Sequence, residues 1–416
     1  MRSRFSKPNI LRSGRIDLLA VNLRHLIPFF DGDREEWGIQ ARLLRWLTFL
    51  WLFMGIVVLF SASYPVGDAY YGDGLYYVKR QLISILMGMV GFNLIVRFPL
   101  RYILGMAHWF VVLLLGLILV TLIPGLGTTT NGATRWLALG PMPIQPSELI
   151  KPFLVLQSAR IFGQWDRLRW KVRLTWLFIF SLVLLGILLQ PNLSTTAFCG
   201  MTIWLIALAA GLPYIQLGAT AFAGLLLGII SITRNEYQQK RIMSFLNPWA
   251  DPMKTGYQLV QSLLAVGSGG VWGTGYGLSQ QKLFYLPIQY TDFIFAVFAE
   301  EFGFMGSMVL FLLLFAYGTM ALIVSMKTQN VVHRLVAIGV MILLVGQSLM
   351  NIAVATGALP TTGLPLPLFS YGGNSMIASL LAAGLLIRVA RESSEAEVVS
   401  LEEKRSAVKR GRPRSN

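Results

Sequence analysis

Ten apolar runs, each long enough or nearly long enough to cross a bilayer, divide this chain, and nothing else narrows its fold so far. They lie near residues 46–63, 82–96, 108–123, 149–161, 174–189, 195–210, 217–232, 293–326, 335–355 and 376–389. Hydrocarbon offers no partner for backbone N–H and C=O groups, so such runs fold as helices that satisfy those groups internally. The expected fold is all-α: a polytopic membrane protein with about ten transmembrane helices and a large extracytoplasmic loop between the seventh and eighth. Composition agrees, since 55% of the 416 residues are hydrophobic and only 13% are charged.

Sidedness follows from the cations. Lysine and arginine gather in the N-terminal tail, around Arg97 and Arg101, over Arg160–Arg173, at Lys327 and Arg334, and in the C-terminal tail. With ten spans these segments share one face, which the positive-inside rule makes cytoplasmic. Both termini are then cytoplasmic, and the cytoplasmic (inner) membrane is the expected location. The organisation reads as a basic tail over 1–44, a membrane domain over 45–390 with its large outer loop at 233–292, and a charged tail over 391–416. The first forty or so residues are polar and basic, without the pattern of a cleaved signal, so the first span reads as an uncleaved anchor. The net charge of +16 lies in tails and short connectors, a topology signal rather than a nucleic-acid surface. Cys199 is the only cysteine and three histidines are scattered, so no histidine or thiolate metal site is expected.

Chemistry-bearing residues collect in the loops of the opposite, outer face. Asp292 stands where the long loop enters the eighth span, and an acid at a membrane boundary is costly unless it has a function. Its plain structural reading is a helix N-cap, which Thr291 or Asp292 would supply. Glu300 and Glu301 follow about 12 Å along the same helix, too far to form a dyad with Asp292. In the second outer loop Arg135 and Trp136 join a cation to a flat apolar surface. Ser147 and Glu148 suit the start of the fourth span, and Lys151, one turn in, calls for a partner. The long loop is rich in cations, Arg241 among them, which suits an anionic headgroup. Its segment GSGGVWGTGYG (267–277) reads either as tight turns and close approach or as a flexible hinge. The last loop, TGALPTTGLPLPLFSYGGNS (356–375), is non-helical backbone that must be buried or line a cavity, with Ser370, Tyr371 and Asn374 as polar candidates.

Taken in order, RW…QPSELIK (135–151), QPNLSTT (190–196), RIMSFLNPWADPMKTGYQLVQSLLAVGSGG (241–270), YLPIQYTDFIFAVFAEEFG (285–303) and the last loop resemble the SEDS family, the FtsW/RodA/SpoVE group. The likeness runs from about Leu43 to Val389 and is nearest to the FtsW branch. It implies a ten-span peptidoglycan glycosyltransferase acting in cell division. The implied substrate is lipid II, and the implied partners are a class B penicillin-binding protein and other divisome proteins. Asp292 matches the family's essential aspartate. Trp136, Gln145, Ser147, Glu148 and Lys151 match its second-loop motif, and Arg80 resembles the basic residue that opens the second span. Ile288 replaces a usual glutamate, Tyr290 a usual histidine, Asn192 an aspartate and Ser194 a glycine.

The chemistry expected is one inverting displacement with Asp292 as general base. Arg80, Arg135, Lys151 and Arg241 would offset charge on the leaving diphosphate, with or without a divalent ion. Glu300, Ser370 and Tyr371 complete the expected substrate contacts. A transporter of the same lipid, an elongation-type polymerase and a non-catalytic scaffold are the competing readings.

Overall fold

The computed structural model describes residues 37–130, 133–138 and 143–410, the side chains of 129, 130, 133 and 396–410 excepted. The expected N-terminal basic tail up to Glu36 lies outside the described residues, as do Arg412 and Arg414.

Apolar runs and helices coincide in order. The helices are α1 (Ile39–Tyr71), α2 (Tyr76–Arg97), α3 (Leu100–Thr121), α4 (Pro146–Phe162), α5 (Trp170–Leu189), α6 (Leu193–Ala209) and α7 (Tyr214–Arg234). After α8 (Glu236–Leu246) and α9 (Tyr257–Ser268) come α10 (Ile294–Lys327), α11 (Val331–Met341), α12 (Gln347–Ala355) and α13 (Gly373–Arg410). A π-helical turn over Ile342–Gly346 joins α11 and α12 into one span. Among the described residues eight helical segments are long and apolar enough to cross a membrane. The fourth and sixth expected spans are shorter helices of 17 residues, α4 and α6. By connectivity the helices alternate in direction, so Asp292, the β1–β2 connection and the last loop share one end of the bundle.

Two helices, α8 and α9, occupy the first part of the long loop, and Arg241 rides on α8. In the second loop a two-stranded antiparallel hairpin forms from β1 (Gly127–Thr130) and β2 (Ala133–Leu137). It is the one sheet among the described residues. Threonines on both strands suit a pleated surface.

The core is built around α13, which packs on α1, α2, α4 and α11 and keeps Leu380, Ala383, Leu386 and Ile387 out of solvent. Small residues let helices approach: a side-chain carbon at Gly88 of α2 would meet Leu380 at 2.6 Å. Trp51 and Tyr317 close the α1–α10 contact edge to face, centroids 5.5 Å apart. Peripheral α7 buries Leu217 alone among its described residues.

Helix α10 is broken at Gly303, whose φ of 65° and ψ of −163° leave the helical region. The glycine segment fills the break. Thr274 and Gly275 N–H groups donate to the Glu300 and Glu301 carbonyls, while Phe304 and Met305 donate to Gly270 and Val271. Side-chain carbons at Gly269 and Gly273 would stand 2.0 and 2.2 Å from the Ala299 and Glu301 carbonyl oxygens. The glycines therefore serve close approach, backbone on backbone, and not a hinge.

Candidate functional site

Asp292 ends a tight turn in which Ile288, at φ 54°, offers its carbonyl to both the N–H and the hydroxyl of Thr291. It does not cap α10: the N-cap is Phe293, without any side-chain capping bond. The backbone is fixed from two sides. Asn351 Nδ2 donates to the Asp292 carbonyl at 2.7 Å and to the Leu364 carbonyl at 2.8 Å. Ser370 Oγ donates to the Thr291 carbonyl at 2.6 Å and accepts from the Leu366 N–H at 2.8 Å. The carboxylate itself has no hydrogen bond or ion pair to any described residue, and Asp292 is half-buried. Loop backbone passes over it, since a side-chain carbon at Gly363 would lie 3.4 Å from Oδ2.

Burial pushes the Asp292 carboxyl up to about 6, against the pull of the Arg241 and Arg135 guanidiniums and with the push of the Glu148 charge. Both guanidiniums are held by backbone. Arg241 Nη1 donates to the Thr361 and Thr362 carbonyls at 3.2 and 3.1 Å, and its Nη2 to the Tyr237 hydroxyl at 2.6 Å. Arg135, on β2, donates from Nε to the Gln190 carbonyl at 3.0 Å and from Nη2 to the Pro191 carbonyl at 2.6 Å. Burial and the neighbouring Arg241 lower the Arg135 pKa from its ordinary value. Two cations from distant parts of the chain thus converge on one free carboxylate.

Beneath them lies a buried pair. Lys151 Nζ donates to Glu148 Oε1 and Oε2 at 2.7 and 2.8 Å and to Gln347 Oε1 at 3.1 Å, with Lys151 and Glu148 only 3% and 5% exposed. Gln347 Nε2 in turn holds the Pro365 carbonyl at 2.7 Å. The partner expected for Lys151 is therefore one turn back on its own helix. Ser147 is not a cap: α4 starts with Gln145 as N-cap and Pro146 at its first position, and the Ser147 hydroxyl is buried without a partner. Gln145 and Trp136 are half-buried at the rim.

Arg80 and Tyr371 lie on an aromatic flank. The Arg80 guanidinium sits 4.9 Å over the Tyr76 ring. Tyr77, Tyr290 and Tyr371 make mutual ring contacts at 4.4–5.7 Å, and the Tyr371 N–H donates to the Tyr290 carbonyl. Asn374 Nδ2 ties the last loop to the Pro143 carbonyl at 2.9 Å. Sequence reading passed over Gln81 and Asn351; a polar amide inside an apolar helix was the signal. Gln81 bonds the Ser370 carbonyl and the Gly372 N–H, at 3.1 and 3.2 Å.

Glu300 stands apart from this group. Its carboxylate takes the Gln280 and Gln281 N–H groups at 2.9 and 3.3 Å and the Ser279 hydroxyl, which makes it an anchor for the 279–281 loop. Glu301 pairs with Lys282 at 2.7 Å, both buried, and with Ser61 at 2.6 Å. Asn192, in place of the usual aspartate, caps α6 by accepting from the Thr195 N–H.

Among the described residues no group of three or more His, Cys, Asp or Glu could hold a metal. A divalent ion at Asp292 would find one further carboxylate, Glu148, already tied to Lys151.

Comparison with known proteins agrees over nearly the whole chain. The model of the FtsW/RodA/SpoVE family, described as cell cycle protein, matches residues 41–395. A relative from Synechocystis sp. named probable peptidoglycan glycosyltransferase FtsW is 56% identical over 385 residues, covering 92% of this chain and 98% of its own. A putative FtsW from Mesostigma viride is 50% identical over 369 residues, 89% of this chain and 88% of its own. Among solved structures, a chain from work on polymerization and crosslinking by a peptidoglycan synthase complex superposes with TM-score 0.67 at 28% identity, over 84% of this chain and 97% of its own. The rod shape determining protein RodA of Thermus thermophilus gives 0.62 at 27% identity, over 84% and 96%.

Proposed function

Because the chain belongs to the FtsW/RodA/SpoVE family of cell cycle proteins, we propose that Asp292 is the base with which it elongates glycan strands. The chain is a multi-pass membrane protein and a peptidoglycan glycosyltransferase of the cell-division type. The substrate read for it is lipid II. The acceptor's GlcNAc 4-hydroxyl attacks the donor's anomeric carbon, and its proton passes to the Asp292 carboxylate. The bond from that carbon to the lipid diphosphate breaks, the diphosphate leaves with the electron pair, and the anomeric configuration inverts.

The observation that carries this reading is the unpartnered Asp292 carboxylate between Arg135 and Arg241. A base needs free lone pairs, and a leaving diphosphate needs fixed cations that do not have to reorganise. Lys151, saturated by Glu148 and Gln347, supports the site from below. Arg80 sits on the aromatic flank, suited to the incoming headgroup.

The basic connectors support an orientation with the Asp292 end outside the cytoplasmic membrane and both termini inside. Partnership with a class B penicillin-binding protein and other divisome proteins is in keeping with the likeness to a synthase-complex chain.

The test is polymerisation by purified protein with its partner and lipid II, read as glycan length. Asp292→Ala leaves a folded, partner-binding protein that makes no polymer. Full activity in that variant removes the assignment, and headgroup translocation without polymer in the wild type favours a transporter.

A further inference from the structure

A cavity of about 240 Å³ opens at the bundle end opposite Asp292, between α3, α4 and the start of α5. It is separate from the glycan site: Glu148 and Arg160 lie on one helix, roughly 18 Å apart at ~1.5 Å per residue. Its polar lining is His108, Gln157, Arg160 and Gln164, with Trp176 on one wall, and no carboxylate contributes to it.

Two of these groups are buried without partners. Gln157 is 1% exposed and its Oε1 has no hydrogen bond, and His108 Nδ1 is also orphaned. A buried polar atom left unmade costs about 1–3 kcal/mol, so such a pair marks a place where something polar belongs. Arg160 uses Nη1 to hold the Leu104 carbonyl at 3.0 Å, and its other N–H groups have no partner among the described residues. The lining therefore offers a guanidinium for an anion beside an amide oxygen and an imidazole nitrogen, each able to hydrogen-bond a hydroxyl.

The lining lies toward the Arg160 end of α4, where the connector to α5 begins. Tyr102 near the start of α3 and Trp170 at the start of α5 are exposed, as aromatic side chains are at a membrane–water boundary. Arg167 and Arg169 on the adjoining connector and Lys171 in the first turn of α5 are exposed and concentrate anions there. The volume falls below the ~300–1,000 Å³ of pockets for drug-sized ligands, which suits one small headgroup.

We propose that this cavity binds a phosphate ester carrying free hydroxyls, the chemistry of a phosphoglycerol headgroup, with Arg160 on the phosphate and Gln157 and His108 on the hydroxyls. The glycan site does not contain it.

The test compares full-length protein in phosphatidylcholine nanodiscs with and without phosphatidylglycerol, reading Tm and bound lipid. Phosphatidylglycerol raises Tm in the wild type. Arg160→Gln weakens its binding roughly tenfold to a hundredfold, as expected for a lost charged hydrogen bond. Gln157→Leu, which removes an orphaned atom and so does not threaten folding, abolishes the Tm gain. The same Gln157-dependent gain from glycerol 1-phosphate in detergent supports the chemistry and assigns the source to a soluble ester. Equal Tm in both membranes with no soluble effect overturns the proposal. So does a phosphatidylglycerol gain that both variants keep, since surface attraction to the Arg167–Lys171 connector would then explain it.

Discussion

Asn351 donates its side-chain amide to the backbone carbonyl of Asp292 at 2.7 Å, holding the proposed base by its main chain while its carboxylate stays free. The same amide holds the Leu364 carbonyl at 2.8 Å, so one residue of α12 registers the last loop against the catalytic turn. Replacing it with leucine leaves two carbonyls without a donor, at about 1–3 kcal/mol for each that water cannot reach. Asn351→Leu is expected to lower Tm and to slow polymerisation through misplacement of Asp292. A normal rate would show that the turn holds its position unaided.

Activity should rise with pH through about 6 and then level, because the base works only when ionised and burial raises the Asp292 pKa to that value. Stability has the opposite sign. A carboxyl whose folded pKa exceeds its unfolded value near 4 favours the folded state while protonated, and that contribution is lost as pH rises from about 4 through 6. Asp292→Asn should therefore be inactive yet melt higher than the wild type at pH 7.5. Thermal unfolding beside a polymerisation assay across pH checks both, and a lower Tm for the variant would contradict the burial argument.

Removing one member of the Glu148–Lys151 pair leaves the other charged in a site only a few per cent exposed. Lys151→Ala or Glu148→Ala is expected to cost about 3–5 kcal/mol. The double replacement Glu148→Gln/Lys151→Met should recover much of that loss without restoring the rate. A double-mutant cycle on Tm built from Glu148→Gln, Lys151→Met and their combination measures the coupling, and additive losses would mean that the pair is not energetically joined.

Alanine at Gly273 would bring a side-chain carbon within 2.2 Å of the Glu301 carbonyl oxygen, at a φ of 83° that disfavours side chains. Gly273→Ala should separate the glycine segment from α10 and lower Tm sharply. Alanine at Gly267, where a side-chain carbon meets nothing within 4 Å, should be nearly silent. Equal effects of the two would remove the backbone-contact argument.

The spans were legible because hydrophobic length is a local property; α6, at 17 residues, stood out, whereas α4 was faint because it is short and carries Glu148 and Lys151. The need of Lys151 for a partner was legible but not the partner itself, although three residues place Glu148 on the same helix face. Convergence was not. Arg135 reaches Asp292 from a hairpin and Arg241 from a helix hidden in what reads as loop, and neither placement has a short-range signal. Glu300 looked like a site residue because an acid in an apolar helix must have a partner; the partner proved to be backbone of the 279–281 loop. The cap reading of Asp292 failed on a single position, with Phe293 taking the N-cap.

The break at Gly303 divides α10 into two rods, and Asp292 sits just before the shorter one, which runs for roughly 13 Å at ~1.5 Å per residue. The far tip of that rod is stitched by main-chain hydrogen bonds to the glycine segment, and Glu300 and Glu301 clamp the stretch that follows it. The short rod is thus a lever with its handle among residues 269–282 and its working end at the base. The position of the base is therefore tied, by main-chain hydrogen bonds, to residues that lie well away from it in the fold.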